Sequence, residues 1–289
     1  MSEIEFHEKY KIEINDFDLK QTLECGQCFR YQKLDENSYI IVARERVLKI
    51  EQDNNFFTFY TSEEEFHSIW EDYFDLKNDY KAIKNLLAEK DEYLKKAVEE
   101  KHGVRIIKQE PWETLISFIL SQTKQIPHIM ALVEALSKAY GEYLGSYMGK
   151  NYYSFPGFEK LQRVSEEEYR DLKTGFRAAY LFDAVKRANE NLLDLEELRT
   201  KETGYIREEL KKIKGVGDKI ADCVLLFAYS RTEVFPTDVW IKRLMAHFYA
   251  IDESNTSLIS KFAEEYLGEL GGYAQQYLFY YGRDNKLGK

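Results

Sequence analysis

Residues 210–238 constrain the fold of this chain most, because they place a tight turn between two helical patterns. The segment reads LKKIKGVGDKIADCVLLFAYSRTEVFPTD, with Gly215 and Gly217 at the turn. Glycine lacks a Cβ, so the backbone can turn tightly and approach a ligand closely. The first N–H groups of the next helix have no intrahelical partner and form an anion site that suits a phosphodiester. A glycine turn of this kind also joins packed helices that bind nothing.

Lys219 lies in the first turn of the second helix, where the positive end of the helix dipole opposes its protonation. A lysine must be neutral to act as a nucleophile, so this placement favours chemistry. Cys223 follows four residues later and shares the face of Lys219. The lysine face is therefore not expected to be the packing face, which is formed by Ile220, Val224 and Phe227.

The segment resembles the helix-hairpin-helix and Gly/Pro…Asp motif of the DNA glycosylase superfamily, in its lysine-bearing form. The surrounding sequence narrows the resemblance to the 8-oxoguanine DNA glycosylase/AP lyases, and it spans residues 15 to 282. Four further motifs follow the order of that family: GQCFRY (26–31), HGVRIIKQEPWETLISFILSQTKQ (102–125), TGFRAAYL (174–181) and GGYAQQYLF (271–279).

The resemblance implies a bifunctional DNA repair enzyme that excises 8-oxoguanine from duplex DNA by base flipping. Lys219 is the implied nucleophile at C1′, and its Schiff base with the sugar permits β-elimination of the 3′ phosphate. Asp238 is the implied stabiliser of the positive charge that develops on the sugar, and a candidate proton carrier. From the residues alone, Asp238 is equally suited to cap a helix that begins at Val239.

The implied lesion-recognition residues are Gly26, Cys223, Gln275 and Phe279. The carbonyl of Gly26 would accept the N7–H of 8-oxoguanine, whereas guanine has a bare N7 acceptor. Phe279 and Cys223 would lie on the two faces of the flipped base, and Gln275 would bind its Watson–Crick edge. Without the family, Gly26 is compatible with a strand bulge, and Gln275 and Phe279 with a surface amide and a core aromatic on one helix.

The implied DNA contacts are Thr123, Lys124, His128, Phe176, Arg177, Gly215, Gly217 and Trp240. Phe176 would fill the vacated stack, and Arg177 would read the orphaned cytosine. The chain departs from the family pattern at residues 123–125, which replace a run of asparagines, and at Trp240, which replaces a histidine. His128 replaces a second cytosine-reading arginine and has a shorter reach, so we expect a relaxed preference for the base opposite the lesion.

The resemblance also implies a monovalent-cation site in the hairpin, formed by the backbone carbonyls of Lys211, Ile213 and Val216. We interpret the pair Cys25 and Cys28 as non-metal, because a closed zinc site needs four ligands and the sequence has no second CxxC or HxxxH pair. Cluster-bearing relatives need four C-terminal cysteines, and none follows Cys223. We expect no zinc, no iron–sulfur cluster and no other cofactor.

The net charge of −10 at first argues against nucleic acid. However, residues 51–100 hold 14 acidic residues and 6 lysines, a net charge of −8, so the rest of the chain is nearly neutral. The hairpin also binds phosphate through backbone amides, which carry no formal charge. We therefore expect double-stranded DNA containing 8-oxoguanine as the partner, bound by a monomer.

The distribution of apolar residues excludes a membrane protein, since no apolar run approaches the ~20 residues of a membrane span. The first fifteen residues are charged throughout, which is atypical of a signal or transit peptide. Three cysteines are a sparse, odd set that suits a reducing compartment. We expect a cytoplasmic protein without a targeting signal.

The pattern predicts an α+β protein with an N-terminal antiparallel β-sheet domain (1–103) and a helical catalytic domain (104–289). The latter has two lobes, with the helix-hairpin-helix at about 205–230. Strand-forming runs are 27–34, 38–52 and 54–61. Helical patterns cover 63–73, 79–100, 112–121, 127–140, 165–173, 180–191, 205–214, 218–229, 239–249 and 257–270.

Two rival hypotheses remain open. An alkylated-base DNA glycosylase of the same superfamily would resemble the hairpin but lack the lysine, so Lys219, Gly26 and Gln275 argue against it. A non-catalytic helix-hairpin-helix DNA-binding protein would not depend on Lys219 or Asp238.

Overall fold

Aromatic and β-branched residues of the first sixty positions form a five-stranded antiparallel sheet in the computed structural model, which describes residues 3–287. The strands are β1 (Tyr10–Glu13), β2 (Tyr31–Lys33), β3 (Ser38–Ala43), β4 (Arg46–Asp53) and β5 (Phe56–Phe59). Their spatial order is β1-β5-β4-β3-β2. Strand β3 is buried along its whole length, whereas the edge strand β1 has no fully buried residue.

The run 38–52 is two strands, because Arg44 and Glu45 both adopt positive φ (48° and 59°) and reverse the chain. The sequence does not predict β1, which pairs Tyr10 with Phe59. A further hairpin that the sequence does not predict consists of β6 (Tyr143–Tyr147) and β7 (Lys150–Tyr153), and it lies within the helical region.

The helices are α1 (Leu19–Glu24), α2 (Glu63–Glu65), α3 (Glu71–Tyr73), α4 (Tyr80–Ala88), α5 (Glu92–Glu100), α6 (Pro111–Ser121), α7 (Ile126–Tyr140), α8 (Phe158–Leu161), α9 (Glu166–Asp171), α10 (Ala178–Asn189), α11 (Leu195–Leu198), α12 (Thr203–Lys211), α13 (Asp218–Tyr229), α14 (Val239–Tyr249), α15 (Thr256–Phe262) and α16 (Gly271–Asp284). Single turns of π-helix (Phe66–Trp70, Ala263–Leu267) and 3₁₀-helix (Gly175–Arg177, Gly268–Leu270) extend several of them. The predicted α+β class, a sheet followed by helices, is confirmed.

The predicted helix 79–100 is two helices, α4 and α5, because Asp91 caps α5 by accepting from the N–H groups of Tyr93 and Leu94. The predicted helix 257–270 is α15 followed by π-helical and 3₁₀ turns. Within residues 3–287, none of the helices is both long and apolar enough to span a bilayer.

Three hydrophobic clusters organise the described residues: a large one among the helices, one under the sheet, and a small one of Ile40, Val42 and Tyr152. Leu87 of α4 and Leu94 of α5 belong to the larger cluster, although the predicted boundary at residue 103 assigns them to the N-terminal domain. Cys25 belongs to the larger cluster and Cys28 to the sheet cluster. The loop between α1 and β2 therefore lies at the seam of the two cores.

Candidate active site and DNA interface

The two glycines of the hairpin between α12 and α13 have different roles. Gly215 has φ +80°, and a Cβ there would lie 2.3 Å from Cδ2 of Tyr180, so the fold itself requires glycine. Gly217 has φ −108°, and a Cβ there would meet no atom within 4 Å. The space beside Gly217 is open to a ligand, as expected for a phosphate-binding turn.

Helix α13 begins directly after Gly217, next to this open space. Ile220 and Ala221 donate to the carbonyl of Gly217, at 3.1 and 3.0 Å, so the intrahelical bonds begin there. The N–H groups of Asp218 and Lys219 precede these bonds and have no acceptor within the helix. On the other side of the turn, the N–H of Lys214 donates to Oδ2 of Asp183 at 2.8 Å, which holds the hairpin against α10.

Lys219 is half-buried, and its Nζ lies 5.0 Å from the centroid of the Phe118 ring on α6. Phe118 in turn stacks on Phe227 of α13, with ring centroids 5.5 Å apart. Cys223, four residues after Lys219, is only 4% exposed. The expectation that the lysine face does not pack is therefore wrong, because α13 packs against both α6 and α12.

Cys223 lies within electrostatic reach of both predicted catalytic residues. Burial raises the pKa of its thiol to about 11, the positive charge and hydrogen bond of Lys219 oppose this rise, and the negative charges of Asp222 and Asp238 add to it. The thiol is therefore neutral at pH 7. The charges of Lys219 and Asp238 therefore both reach the buried sulfur of Cys223, which places the three residues in one region of the fold.

Asp238 caps α14: its Oδ1 accepts from the N–H of Ile241 at 2.8 Å. Within residues 3–287 its second carboxylate oxygen makes no hydrogen bond, so one oxygen serves the helix and the other is open to a substrate. The two roles considered for Asp238 are therefore compatible. Trp240, two residues later, is half-buried, with the guanidinium of Arg243 5.9 Å from its ring centroid.

Gly26 lies in the loop between α1 and β2 with φ +94°, so it is not a strand bulge. The neighbouring Gln27 fixes this loop: its fully buried amide donates to the carbonyls of Thr22 and Arg105 and accepts from the N–H of Ile107. The Gly26 backbone is therefore held rigidly, as a group that must discriminate one hydrogen-bond donor requires.

Helix α16 brings Gln275 and Phe279 to this loop. A Cβ on Gly26 would lie 3.6 Å from Cε1 of Phe279 and 3.2 Å from Cδ1 of Ile126. Gln275 is buried on the same helix, and its Oε1 has no hydrogen-bond partner within residues 3–287. A buried acceptor without a hydrogen bond lowers stability, so this unpaired oxygen beside Phe279 suits a group that binds a ligand.

Glycines allow α16 to approach its neighbours closely. A Cβ on Gly272 would lie 2.3 Å from Cδ1 of Leu226 on α13, and one on Gly282 would lie 2.4 Å from Cδ2 of Leu244 on α14. This close packing fixes the position of α16 relative to the helices that carry Lys219 and Asp238.

Arg177 is buried and its donors are already engaged. Its Nε and Nη2 donate to the carbonyl of Gln122, and Nη2 also donates to Oγ1 of Thr123 at 2.8 Å. Phe176 is 50% exposed, with its ring 4.3 Å from the Arg177 guanidinium. Phe176 therefore protrudes as a wedge should, whereas Arg177 must exchange partners before it can read a base.

The remaining predicted DNA contacts lie at the loop between α6 and α7, which carries Thr123 and Lys124, and in the first turn of α7, which carries His128. Thr123 adopts φ +54°, and the side chains of Lys124 and His128 are exposed. The side chain of His128 is therefore exposed to solvent, whereas that of Arg177 is held by hydrogen bonds to backbone carbonyls.

The predicted cation site and the cysteine pair are not tested by the geometry. The carbonyl of Ile213 accepts from the N–H of Val216 at 3.0 Å, which leaves one lone pair for a cation. Both thiols of the CxxC pair are buried, with Cys25 donating to the Thr22 carbonyl. Among residues 3–287 no three His, Cys, Asp or Glu side chains are placed to share a metal ion.

Two residues of the site were not singled out from the sequence. Phe118 supports Lys219, and Tyr180 links the hairpin to the wedge, since it touches the Gly215 position and lies 5.7 Å from the Phe176 ring centroid. Both occur inside helical patterns, where an aromatic signals only packing.

Two family models together match most of the chain. The model for the 8-oxoguanine DNA glycosylase N-terminal domain matches residues 9–115, and the model for the HhH-GPD superfamily base excision DNA repair protein matches residues 116–269. The second match alone covers more than half of the 289 residues.

Individual relatives agree with the models. A probable N-glycosylase/DNA lyase of Methanothermobacter thermautotrophicus is 30% identical over 234 residues, 74% of each chain. The solved structure of MBOgg1 in complex with low affinity DNA ligand is 42% identical, covers 96% of both chains and has a TM-score of 0.92. The Clostridium acetobutylicum 8-oxoguanine glycosylase/lyase, solved with dsDNA containing cytosine opposite to 8-oxoG, is 40% identical over 96% of this chain and 94% of that chain, with a TM-score of 0.91. This chain therefore belongs to the 8-oxoguanine DNA glycosylase/lyases of the HhH-GPD superfamily of base excision DNA repair proteins.

Proposed function

We propose that this protein excises 8-oxoguanine from duplex DNA and then cleaves the strand at the abasic site. The observation that carries the proposal is that Lys219 follows an open helix N-terminus and packs on Phe118, while the charges of Lys219 and Asp238 both reach the buried thiol of Cys223. A nucleophile, a fixed negative charge and a phosphate site within one hairpin are the groups that attack at C1′ requires.

In the proposed reaction the duplex is held by the amides that follow Gly217, and Phe176 fills the stack that the flipped nucleotide leaves. Asp238, as a carboxylate, stabilises the positive charge that develops on the sugar, and the proton that the Lys219 nitrogen loses on bonding passes through Asp238 to the departing base. The Lys219 nitrogen bonds to C1′ as the bond from C1′ to the base breaks, and the base leaves with its electron pair.

The sugar ring then opens to give a Schiff base with Lys219. Loss of a C2′ proton allows the 3′ phosphate to leave by β-elimination, which nicks the strand. The amine of Lys219 thus serves both steps, so one residue explains a glycosylase and a lyase activity in the same site.

Recognition of the base is the part of the proposal that rests on Gly26, Gln275 and Phe279. The close approach of Phe279 to the Gly26 position, and the unpaired Oε1 of Gln275, support a planar ligand at this point. The proposed partner is double-stranded DNA that contains 8-oxoguanine, bound by a monomer in the cytoplasm. Size-exclusion chromatography with light scattering, with and without duplex, tests the monomer.

Borohydride reduction in the presence of an 8-oxoguanine duplex tests the function directly, because it traps the Schiff base as a covalent adduct. We expect an adduct on this duplex and none on an undamaged one. An enzyme for alkylated bases would release its base without an adduct, and a non-catalytic DNA-binding protein would retain the duplex with its base intact. Either result would overturn the proposal.

A further inference from the structure

Helix α16 contains three buried polar atoms that lack a hydrogen-bond partner within residues 3–287. They are Oε1 of Gln275, Nε2 of Gln276 and Nη1 of Arg283. A buried donor without an acceptor is costly, so it is retained when a ligand supplies the acceptor or when nothing selects against it. Arg283 has no role in the proposed function, and it lies beyond the residues that the HhH-GPD model matches.

The position of Arg283 favours the first explanation, that a ligand supplies the missing acceptor. Its Nη2 donates to the carbonyl of Glu24 at 2.9 Å, so the guanidinium is anchored to the chain two residues before Gly26. Its free Nη1 lies 3.7 Å from the position that a Cβ on Gly26 would occupy. The guanidinium carbon is also 5.7 Å from the centroid of the Phe279 ring. The unpaired donor therefore lies beside both residues that are proposed to hold the base.

The spacing along α16 indicates which edge of the base this donor meets. Gln275, Phe279 and Arg283 are four residues apart in turn, so Arg283 lies about 12 Å along the helix from Gln275, with Phe279 midway. A purine that lies on Phe279 with its Watson–Crick edge at Gln275 has its imidazole edge towards Arg283.

The imidazole edge is where 8-oxoguanine differs from guanine. In 8-oxoguanine the N7–H donor lies next to the C8 carbonyl acceptor, whereas guanine has an N7 acceptor next to a C8–H. A protein carbonyl beside a guanidinium N–H matches the first pattern at both atoms. We propose that Arg283 is a specificity-determining residue that donates from Nη1 to the C8 carbonyl oxygen of the flipped base, beside the contact of Gly26 with N7–H.

The inference rests on the proposed function and adds a second test of the lesion to it. With guanine in the pocket, Nη1 would stay buried and unpaired while the Gly26 carbonyl opposed the N7 lone pair. Two mismatches at adjacent atoms of the base discriminate against guanine more strongly than one. The two segments of the chain that make these contacts are held together by the hydrogen bond to Glu24.

Arg283→Met tests the proposal, because methionine keeps an unbranched side chain over Phe279 but has no donor. We compare single-turnover rates on 8-oxoguanine, on 8-thioguanine, which keeps N7–H but offers sulfur as a weaker acceptor, and on a preformed abasic site. We expect a loss of about tenfold or more on 8-oxoguanine, a loss at least threefold smaller on 8-thioguanine, and cleavage of the abasic site within twofold of wild type.

An equal loss on the two bases would assign Arg283 a structural role and overturn the proposal. So would an equal loss at the abasic site, which would indicate a phosphate contact, or no loss at all. Arg283→Leu, which also has no donor, gives the same comparison if the methionine variant does not fold. Arg231→Met is a matched control, because Arg231 also has a buried, unpaired Nε but donates to the carbonyls of Arg199 and Lys201. The proposed function fails separately, if the wild-type protein does not excise 8-oxoguanine.

Discussion

The region around Lys219 and the region around Arg177 differ in how complete they are without DNA. Lys219, Cys223 and Asp238 lie on two helices that are packed on α6 and α16, and Asp238 keeps one oxygen open. The guanidinium of Arg177 instead donates hydrogen bonds to the carbonyl of Gln122 and to Oγ1 of Thr123. His128, on the same side, is exposed.

The difference indicates that the groups proposed for the chemistry are pre-formed, whereas the groups proposed to face the orphaned base are not. A pre-formed site has no rearrangement to make during the reaction, which is what electrostatic stabilisation of a transition state needs. An arginine that must first break hydrogen bonds to backbone carbonyls loses part of the free energy that it gains by binding the base. It therefore discriminates less between the bases opposite the lesion.

The largest effect is expected at the pre-formed site. Lys219→Gln should bind the 8-oxoguanine duplex but release no base and form no borohydride adduct, because the amine is the nucleophile of both steps. Gel-shift and trapping assays measure the two properties separately. Lys95→Gln, at an exposed lysine of α5, should behave as wild type. Undiminished trapping by Lys219→Gln would exclude this residue as the nucleophile.

Asp238→Asn should slow excision by roughly 10² or more, the scale for loss of one electrostatic stabiliser. Asparagine caps helices as well as aspartate does, so the thermal midpoint should not change and the charge is tested alone. Asp79→Asn, at the aspartate that caps α4, is the matched control and should leave the rate unaltered. A rate reduction of less than about threefold would reduce Asp238 to a helix cap.

A smaller effect is expected on the preference for the base opposite the lesion. A good contact to a base edge gives about 1–3 kcal/mol of discrimination, so one arginine in place of two should lower the cytosine preference by roughly tenfold. We expect single-turnover excision opposite all four bases, with cytosine favoured modestly. His128→Arg should restore part of the preference. A wild-type cytosine preference above about a hundredfold would show that another residue reads this base.

The hairpin glycines give the smallest effect on function and separate folding from binding. Gly217→Ala should leave the free energy of unfolding within about 0.5 kcal/mol, since its Cβ meets nothing, but weaken duplex binding several-fold. Gly215→Ala should cost about 1–3 kcal/mol of stability, because of its positive φ and the Tyr180 ring. Denaturant unfolding and fluorescence anisotropy measure the two. Equal binding by Gly217→Ala and wild type would show that no ligand approaches this turn.

The hairpin and its helices were predictable from the sequence because their signals are local. Glycines at fixed positions, a helical period on both sides and a proline before Asp238 need no knowledge of the rest of the fold. Helices α13 and α14 begin and end where the pattern predicts.

Features that depend on distant partners were not predictable. Strand β1 is short and exists because Phe56–Phe59 pairs with it. The burial of Cys223 depends on α6, and the position of Arg283 depends on Glu24 and Gly26, at the other end of the chain. Periodicity within a helix cannot report contacts of this kind, so Arg283 carries no signal in the sequence.

The buried amide of Gln27 has a consequence for how this enzyme can evolve. It ties the loop of Gly26 to Thr22, Arg105 and Ile107, and within residues 3–287 its hydrogen bonds involve neither Lys219 nor Asp238. If Gly26 selects the base as proposed, we expect a substitution of Gln27 to change which damaged bases are excised while cleavage at a preformed abasic site continues. Substitutions that move the Gly26 loop and substitutions at the catalytic residues would therefore alter different properties. The range of excised bases could then change in evolution without loss of strand cleavage.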